Sequence, residues 1–250
     1  MNRSTNPINV YPPPGSSLNA LAADVPVLMA VGQTGFFFAA NSATWHGVVT
    51  ASVDDLITTR GALLTRDATK AVELPVGANG LILGSNGTDV LYTPRIALQT
   101  SVASTSGMEA PFTGIPSWAK RVTVFLQGVS IDSISDLQFQ IGTSAGYEIT
   151  GYEGANTFTT TGAATANFTA GFVFRSDSAA ALFHGKITFE LMNAATNLWV
   201  ANGGIGASNL VYNNRIAGTK ALAGALDSVR LISVSGTANF DAGLMNVSWE

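Results

Sequence analysis

From residue 100 onward, apolar and polar positions alternate in short runs. Val122, Val124 and Leu126 alternate with Arg121, Thr123, Phe125 and Gln127, and Ile187, Phe189 and Leu191 alternate with Thr188 and Glu190. Residues 227–234 repeat the pattern, with Val229 and Leu231 opposite Arg230 and Ile232. A period of two sends successive side chains to opposite faces of a strand, so each run predicts a strand with one face on a core. Further strands are expected over 137–141, 147–152, 168–174, 198–201, 215–222 and 244–249. About nine strands separated by Gly, Asn and Ser turns predict an all-β domain, a β-sandwich or jelly roll, over residues 100–250. Gly203-Gly204-Ile205-Gly206 is expected as a turn between two of these strands. Pro116-Ser117-Trp118 reads as the end of an irregular segment, with Trp118 burying its ring where the next strand starts; an exposed ligand platform is the alternative.

The texture upstream is different. Residues 54–94 carry short apolar pieces between turn signals at Gly61, Asp67-Ala68-Thr69, Asn79-Gly80 and Asn86-Gly87. Asn-Gly between apolar runs predicts hairpins. Leu81-Ile82-Leu83 is too short to enclose a core within one chain, which suggests three chains around an axis, each supplying one side; an extended monomeric loop is the alternative. Residues 18–53, with Phe36-Phe37-Phe38 and Trp45, are too apolar for a free linker and should be packed against something. Residues 2–17 end in Tyr11-Pro12-Pro13-Pro14-Gly15, a run that favours extended polyproline geometry, and read as an arm or a disordered terminus. Three regions result: an arm and attachment region over 1–53, a short β-rich stalk over 54–99, and a head domain over 100–250.

Composition sharpens this picture. With 26 Gly and 9 Pro, short strands and tight turns are favoured over long helices. Only 11% of residues are charged against 46% hydrophobic, which leaves little polar surface for a monomer and predicts burial against other copies. The net charge of −4 without a basic cluster argues against nucleic-acid binding. There is no Cys, so disulfides and thiolate zinc sites are excluded. The first residues lack the apolar core of a secretory signal, and the best apolar stretch, residues 18–40, is interrupted by Asp24, Pro26, Gln33 and Thr34. Membrane insertion is not expected, and synthesis as a soluble cytoplasmic product is.

Several motifs together carry a resemblance. Phe112-Thr113-Gly114-Ile115-Pro116-Ser117-Trp118-Ala119-Lys120-Arg121-Val122-Thr123-Val124 is followed by Gly128-Val129-Ser130, Gln140-Ile141-Gly142 and Thr150-Gly151-Tyr152. With the ending Phe240-Asp241-Ala242-Gly243-Leu244-Met245-Asn246-Val247-Ser248-Trp249-Glu250, these residues resemble a C-terminal β-domain of phage tail fibres and related virion proteins, across residues 105–250. Arg60-Gly61-Ala62-Leu63-Leu64-Thr65-Arg66-Asp67-Ala68, Leu74-Pro75-Val76-Gly77-Ala78-Asn79-Gly80 and Ser85-Asn86-Gly87-Thr88 are similar to the shaft repeats that precede such domains. The short stalk favours a short fibre, a head fibre or a decoration protein over a long tail fibre. The resemblance implies a non-enzymatic homotrimer on the virion surface. Its partners would be tail, baseplate or capsid proteins and, at the exposed end, a host polysaccharide.

No cofactor or metal is expected. A glycosidase needs two carboxylates about 5–10 Å apart, and the nearest sequence pairs, Asp132 with Asp136 and Glu148 with Glu153, read as turn formers. His46 and His184 are far apart in sequence. Glycan binding asks for less: an aromatic face and nearby amides or carboxylates. Tyr147, Glu148, Tyr152, Glu153 and Asn156 in one region, and Trp199, Asn202 and Tyr212 in another, are the candidates, with burial of the same rings in a core or trimer contact as the alternative. Tyr11, Pro12, Pro13, Phe36, Phe37, Phe38 and Trp45 are the candidates for virion attachment.

Overall fold

A computed structural model describes residues 1–50, 58–66 and 71–250; the boundary at 53/54 and the turn at Asp67-Ala68-Thr69 lie outside the described residues. The protein is all-β: every regular element among these residues is a strand. Two compact units are present, Met1–Arg95 and Ile96–Glu250.

The first unit begins with β1 (Ile8–Val10), β2 (Ser17–Leu18), β3 (Val27–Met29), β4 (Thr34–Ala39) and β5 (Thr44–Thr50). β1 pairs antiparallel with β3, and β2, β5 and β4 form a three-stranded sheet in that order. The segment expected as a free arm is therefore tied back onto its own unit. The buried Asn2 side chain donates to the Met29 and Asn6 carbonyls, and the Asn2 N–H donates to Gln33 O. Prolines 12–14 cannot donate to a ladder, but that restriction does not reach Ile8–Val10 or Ser17–Leu18, which pair on either side of them.

Two hairpins follow, β6 (Leu63–Arg66) with β7 (Ala71–Leu74), and β8 (Leu81–Ser85) with β9 (Val90–Pro94). Asn86 closes the second turn, its Oδ1 accepting from the Thr88 and Asp89 N–H groups. Each hairpin is a separate two-stranded sheet. Adjacent apolar residues, Leu63 with Leu64 and Ile82 with Leu83, are exposed, so both faces of each hairpin present hydrocarbon to the surroundings.

In the second unit the strands are β10 (Ala97–Leu98), β11 (Val102–Ala103), β12 (Glu109–Phe112), β13 (Arg121–Ile131), β14 (Leu137–Thr143), β15 (Gly146–Tyr147) and β16 (Tyr152–Thr159). They continue as β17 (Ala163–Phe168), β18 (Phe172–Phe174), β19 (Phe183–Asn193), β20 (Leu198–Ala207), β21 (Tyr212–Ala221), β22 (Ser228–Ser233) and β23 (Phe240–Trp249). A nine-stranded antiparallel sheet runs β10-β23-β13-β19-β20-β21-β16-β17, with β11 also on β23. A five-stranded sheet runs β12-β22-β14-β15, with β18 on β14. Both contribute to one hydrophobic cluster. Phenylalanines join them: Phe139 and Phe172 from the smaller sheet meet Phe189 of the larger at 6.4 and 5.5 Å between ring centroids, and Phe174 meets Phe183 edge-on at 5.1 Å.

Several local expectations are corrected. Residues 147–152 are not one strand but the end of β15, an irregular stretch and the start of β16, and residues 168–174 hold the end of β17, a turn and β18. The glycines at 203, 204 and 206 lie within β20, which runs unbroken to Ala207. At Gly203 the lack of a side chain serves close approach rather than turning: a Cβ there would sit 3.0 Å from the Lys186 carbonyl oxygen on the neighbouring strand. Trp118 is 59% exposed, and Ile115 and Ala119 are the buried residues of that stretch. The start of β13 is set by backbone pairing, with the Lys120 and Arg121 N–H groups donating to Glu250 O at 2.8 and 3.0 Å.

Two outcomes are expected. Deleting residues 244–250 removes the buried Met245, Val247 and Trp249, each worth roughly 1.5–3 kcal/mol, and should give insoluble or unfolded protein in a solubility and circular-dichroism assay. Gly185 has φ +144, and a Cβ there would lie 2.2 Å from Gly204 O, whereas Gly204 has open space at its own Cβ position. Gly185→Ala should therefore cost about 2–4 kcal/mol in denaturant unfolding, with Gly204→Ala close to neutral.

Candidate binding surface

The residues expected to bind glycan separate into a packed group and an exposed group. Tyr152 is buried, its ring edge-on to Phe172 at 5.0 Å. Its hydroxyl donates to Glu148 O at 2.8 Å and accepts from the Ile141 N–H at 2.9 Å. Burial pushes its pKa up. Trp199 is buried too, and its register partner Lys220 is also the partner of Tyr152, so β21 brings these residues together. Lys220 lies over the Tyr152 ring at 5.5 Å and forms an ion pair with Glu148, whose Oε1 accepts the Ala223 N–H at 2.7 Å. This is a packed cluster, with no aromatic face for a sugar. Tyr147 is half-buried beneath the Arg230 guanidinium, 4.3 Å from its ring, Asn156 is buried, and Tyr212 packs against Phe158. The Tyr152, Trp199 and Tyr212 rings face inward because β16, β20 and β21 alternate in phase with the core, a phase the short sequence runs did not define, whereas Tyr147 packs against Arg230 on the outer side of the smaller sheet. Glu153 and Asn202 are the exposed members.

The acidic pairs hold loops. Asp132 accepts from the Asn239 side chain and N–H at 3.0 and 2.9 Å, which lowers its pKa. Asp136 accepts from the Ser176 N–H at 2.9 Å, and burial raises its pKa.

The open feature of the second unit is the outer face of its larger sheet. Two depressions of about 590 and 640 Å³ share Asn202, Gly203 and Gly204 as a common floor. The first extends over Thr123, Phe125, Lys186 and Thr188, and the second over Thr157, Asn213 and Arg215. Together they form a trough across β13, β19, β20, β21 and β16. Arg121 closes one end, paired with Glu190 at 2.8 Å and with Glu250. Phe125 lies on this face, which hydroxyls, amides, glycines and cations otherwise dominate. Alternation alone places Lys186 and Arg215 outward, opposite Ile187 and Ile216, yet their spatial proximity has no signature in a single strand.

In the first unit, Tyr11, Pro12, Pro13, Phe37 and Trp45 do come together, with Val10 and Leu18, around an apolar depression of about 440 Å³. The Phe37 ring lies on Gly35 and Gly47, where a Cβ would come within 2.5 and 2.3 Å of it. Phe36 and Phe38 point the other way, 66% and 58% exposed, opposite Val48 and His46 on β5.

These features define an all-β protein with an open, polar sheet face in one unit and exposed hydrocarbon in the other. The chain matches no protein-family model, no curated protein and no solved structure.

The Glu148–Lys220 pair makes a testable contribution. Burial opposes ionisation of Glu148, but the Ala223 N–H and the Lys220 ammonium outweigh it and lower its pKa. The stabilisation is thus present above the ordinary glutamate pKa and lost as pH falls through the lowered value. Lys220 is 7% exposed and Glu148 23%. Glu148→Ala, which strands a buried ammonium, should cost on the order of 3 kcal/mol, and Lys220→Met less, since Glu148 keeps some water. Melting curves between pH 3 and 7 should show a smaller acid-side loss for Glu148→Gln than for wild type.

Proposed function

We propose that the chain is a structural, non-enzymatic component of a bacteriophage virion: a short homotrimeric fibre, attached through its N-terminal region and exposing its C-terminal unit for recognition of host-surface glycan. In this reading residues 54–99 form a stalk, and the C-terminal unit is a β-sandwich made by its two sheets. The observation that carries it is the pair of two-stranded hairpins with exposed leucines and isoleucine on both faces. An isolated hairpin is marginal in water, and three chains packed side by side would cover that hydrocarbon. Three outer domains would also raise a weak single-site affinity by about 10²–10⁴ through avidity.

A second reading, a capsid decoration or head-fibre protein that stabilises the shell, is favoured by the exposed Phe36 and Phe38 and the apolar depression beside Tyr11 and Trp45. Such a surface suits attachment to another protein. The two readings share the attachment end and differ in what the C-terminal unit does.

Light scattering on the purified protein should give three times the 25.8 kDa chain mass; a stable monomer at micromolar concentration would sink the shared-core account of the hairpins. Deleting residues 1–53 should leave a folded C-terminal unit that no longer joins virions. Assembly onto particles at the wild-type level would mean that the C-terminal unit is the anchor. The full-length protein should rebind stripped capsids and raise their thermal stability under the decoration reading, and should do neither under the fibre reading.

A further inference from the structure

The trough on the larger sheet contains a row of residues set side by side on five strands. Phe125 is opposite Lys186, Lys186 opposite Gly204, Gly204 opposite Arg215, and Arg215 opposite Thr157. Strand spacing puts the Lys186 and Arg215 backbones roughly 10 Å apart. Nothing lies within 4 Å of where a Gly204 Cβ would be, so the space between the two cations is open. Among the described residues neither cation has an ion-pair partner, although Arg121, Arg175, Lys220 and Arg230 all do. Two unneutralised cations on one face of a chain with net charge −4 are a local reversal of sign.

We infer that this trough binds a strand of acidic glycopolymer, with Lys186 and Arg215 holding its anionic groups over Gly204 and the exposed part of the Phe125 ring resting on a sugar. This rests on the recognition role proposed above and names its site and ligand class. The next row supplies groups for sugar hydroxyls: Thr123, Thr188 and Asn202 follow one another across β13, β19 and β20. A small anion would occupy little of a trough that crosses five strands, whereas an extended polymer can follow it. A second copy of the same face is the poorer occupant, because it would set Lys186 and Arg215 against their own like charges.

The test uses the full-length protein and three immobilised polymers: polygalacturonate with carboxylates, phosphorylated dextran with phosphate esters, and neutral dextran. Binding to at least one acidic polymer is expected, weakened by salt, and the stronger of the two identifies the anionic group. Lys186→Glu combined with Arg215→Glu should reduce that binding by about a hundredfold or more, and Gly204→Leu, which fills the open floor, by about tenfold, as charge reversal and steric blocking at a contact site require. Melting temperatures of the variants should match wild type. Undiminished binding by the double variant, or binding to neutral dextran alone, overturns the trough assignment and leaves glycan recognition standing. Binding to none of the three overturns the assignment and the recognition role together, while the virion-structural reading is judged separately by mass and assembly. A changed oligomer mass in the double variant would make the face a contact between copies, and would also overturn it.

Discussion

The C-terminal unit depends on a layer of phenylalanine rings contributed by two antiparallel sheets. Phe139, Phe172 and Phe174 come from the smaller sheet, Phe183 and Phe189 from the larger, and all five are fully buried. Large rings packed against one another have few rotamers available, so they fix how closely the strands that carry them approach. Strand length follows from this. β13, β19, β20, β21 and β23 each keep an inward row in contact with the layer, which accounts for their extension well beyond the short runs visible as alternation.

The two outer faces differ for a related reason. On the smaller sheet, β14 is covered on its outer side too: Gln140 donates to the Ala170 carbonyl and accepts from Arg230, which also pairs with Glu109 and lies over Tyr147. Polar groups there are consumed internally. On the larger sheet the outward positions of the central strands include threonine, asparagine, glycine and two cations without ion-pair partners among the described residues, so polar groups there are left open. Polar groups satisfied within the chain and polar groups left open are thus divided between the two sides of the same unit.

The N-terminal unit follows another rule. Leu18 and Met29 are its buried large apolar residues among those described, and much of its remaining hydrocarbon is exposed. So little buried area offsets little of the entropy of ordering a chain of this length, and hairpins with two bare faces add none. The physical demand for cover is the common root of the trimer and attachment proposals. It also explains how residues 2–17, read from their prolines as an arm or a disordered terminus, fold back: pairing β1 on β3 and β2 on β5 supplies backbone hydrogen bonds and closes the depression around Tyr11 and Trp45.

The sequence by itself determined the all-β class, the Asn-Gly hairpin at residue 86 and the inward phase of β13, β19 and β22, because alternation and turn chemistry are local properties of the chain. It also grouped Tyr11, Pro12, Pro13, Phe36, Phe37, Phe38 and Trp45 as hydrocarbon that must be covered by something, of which the fold gathers all but the outward Phe36 and Phe38 around one depression. Only the tertiary structure decided the rest. Whether Tyr152 and Trp199 face sugar or core depends on which strand opposes them, and whether glycines 203, 204 and 206 turn or run straight depends on how closely β19 approaches β20. The row from Phe125 through Lys186 and Gly204 to Arg215 joins residues of four strands, and only the register of three ladders brings them side by side. Register is a non-local quantity, set by the core beneath, and no stretch of chain carries it alone.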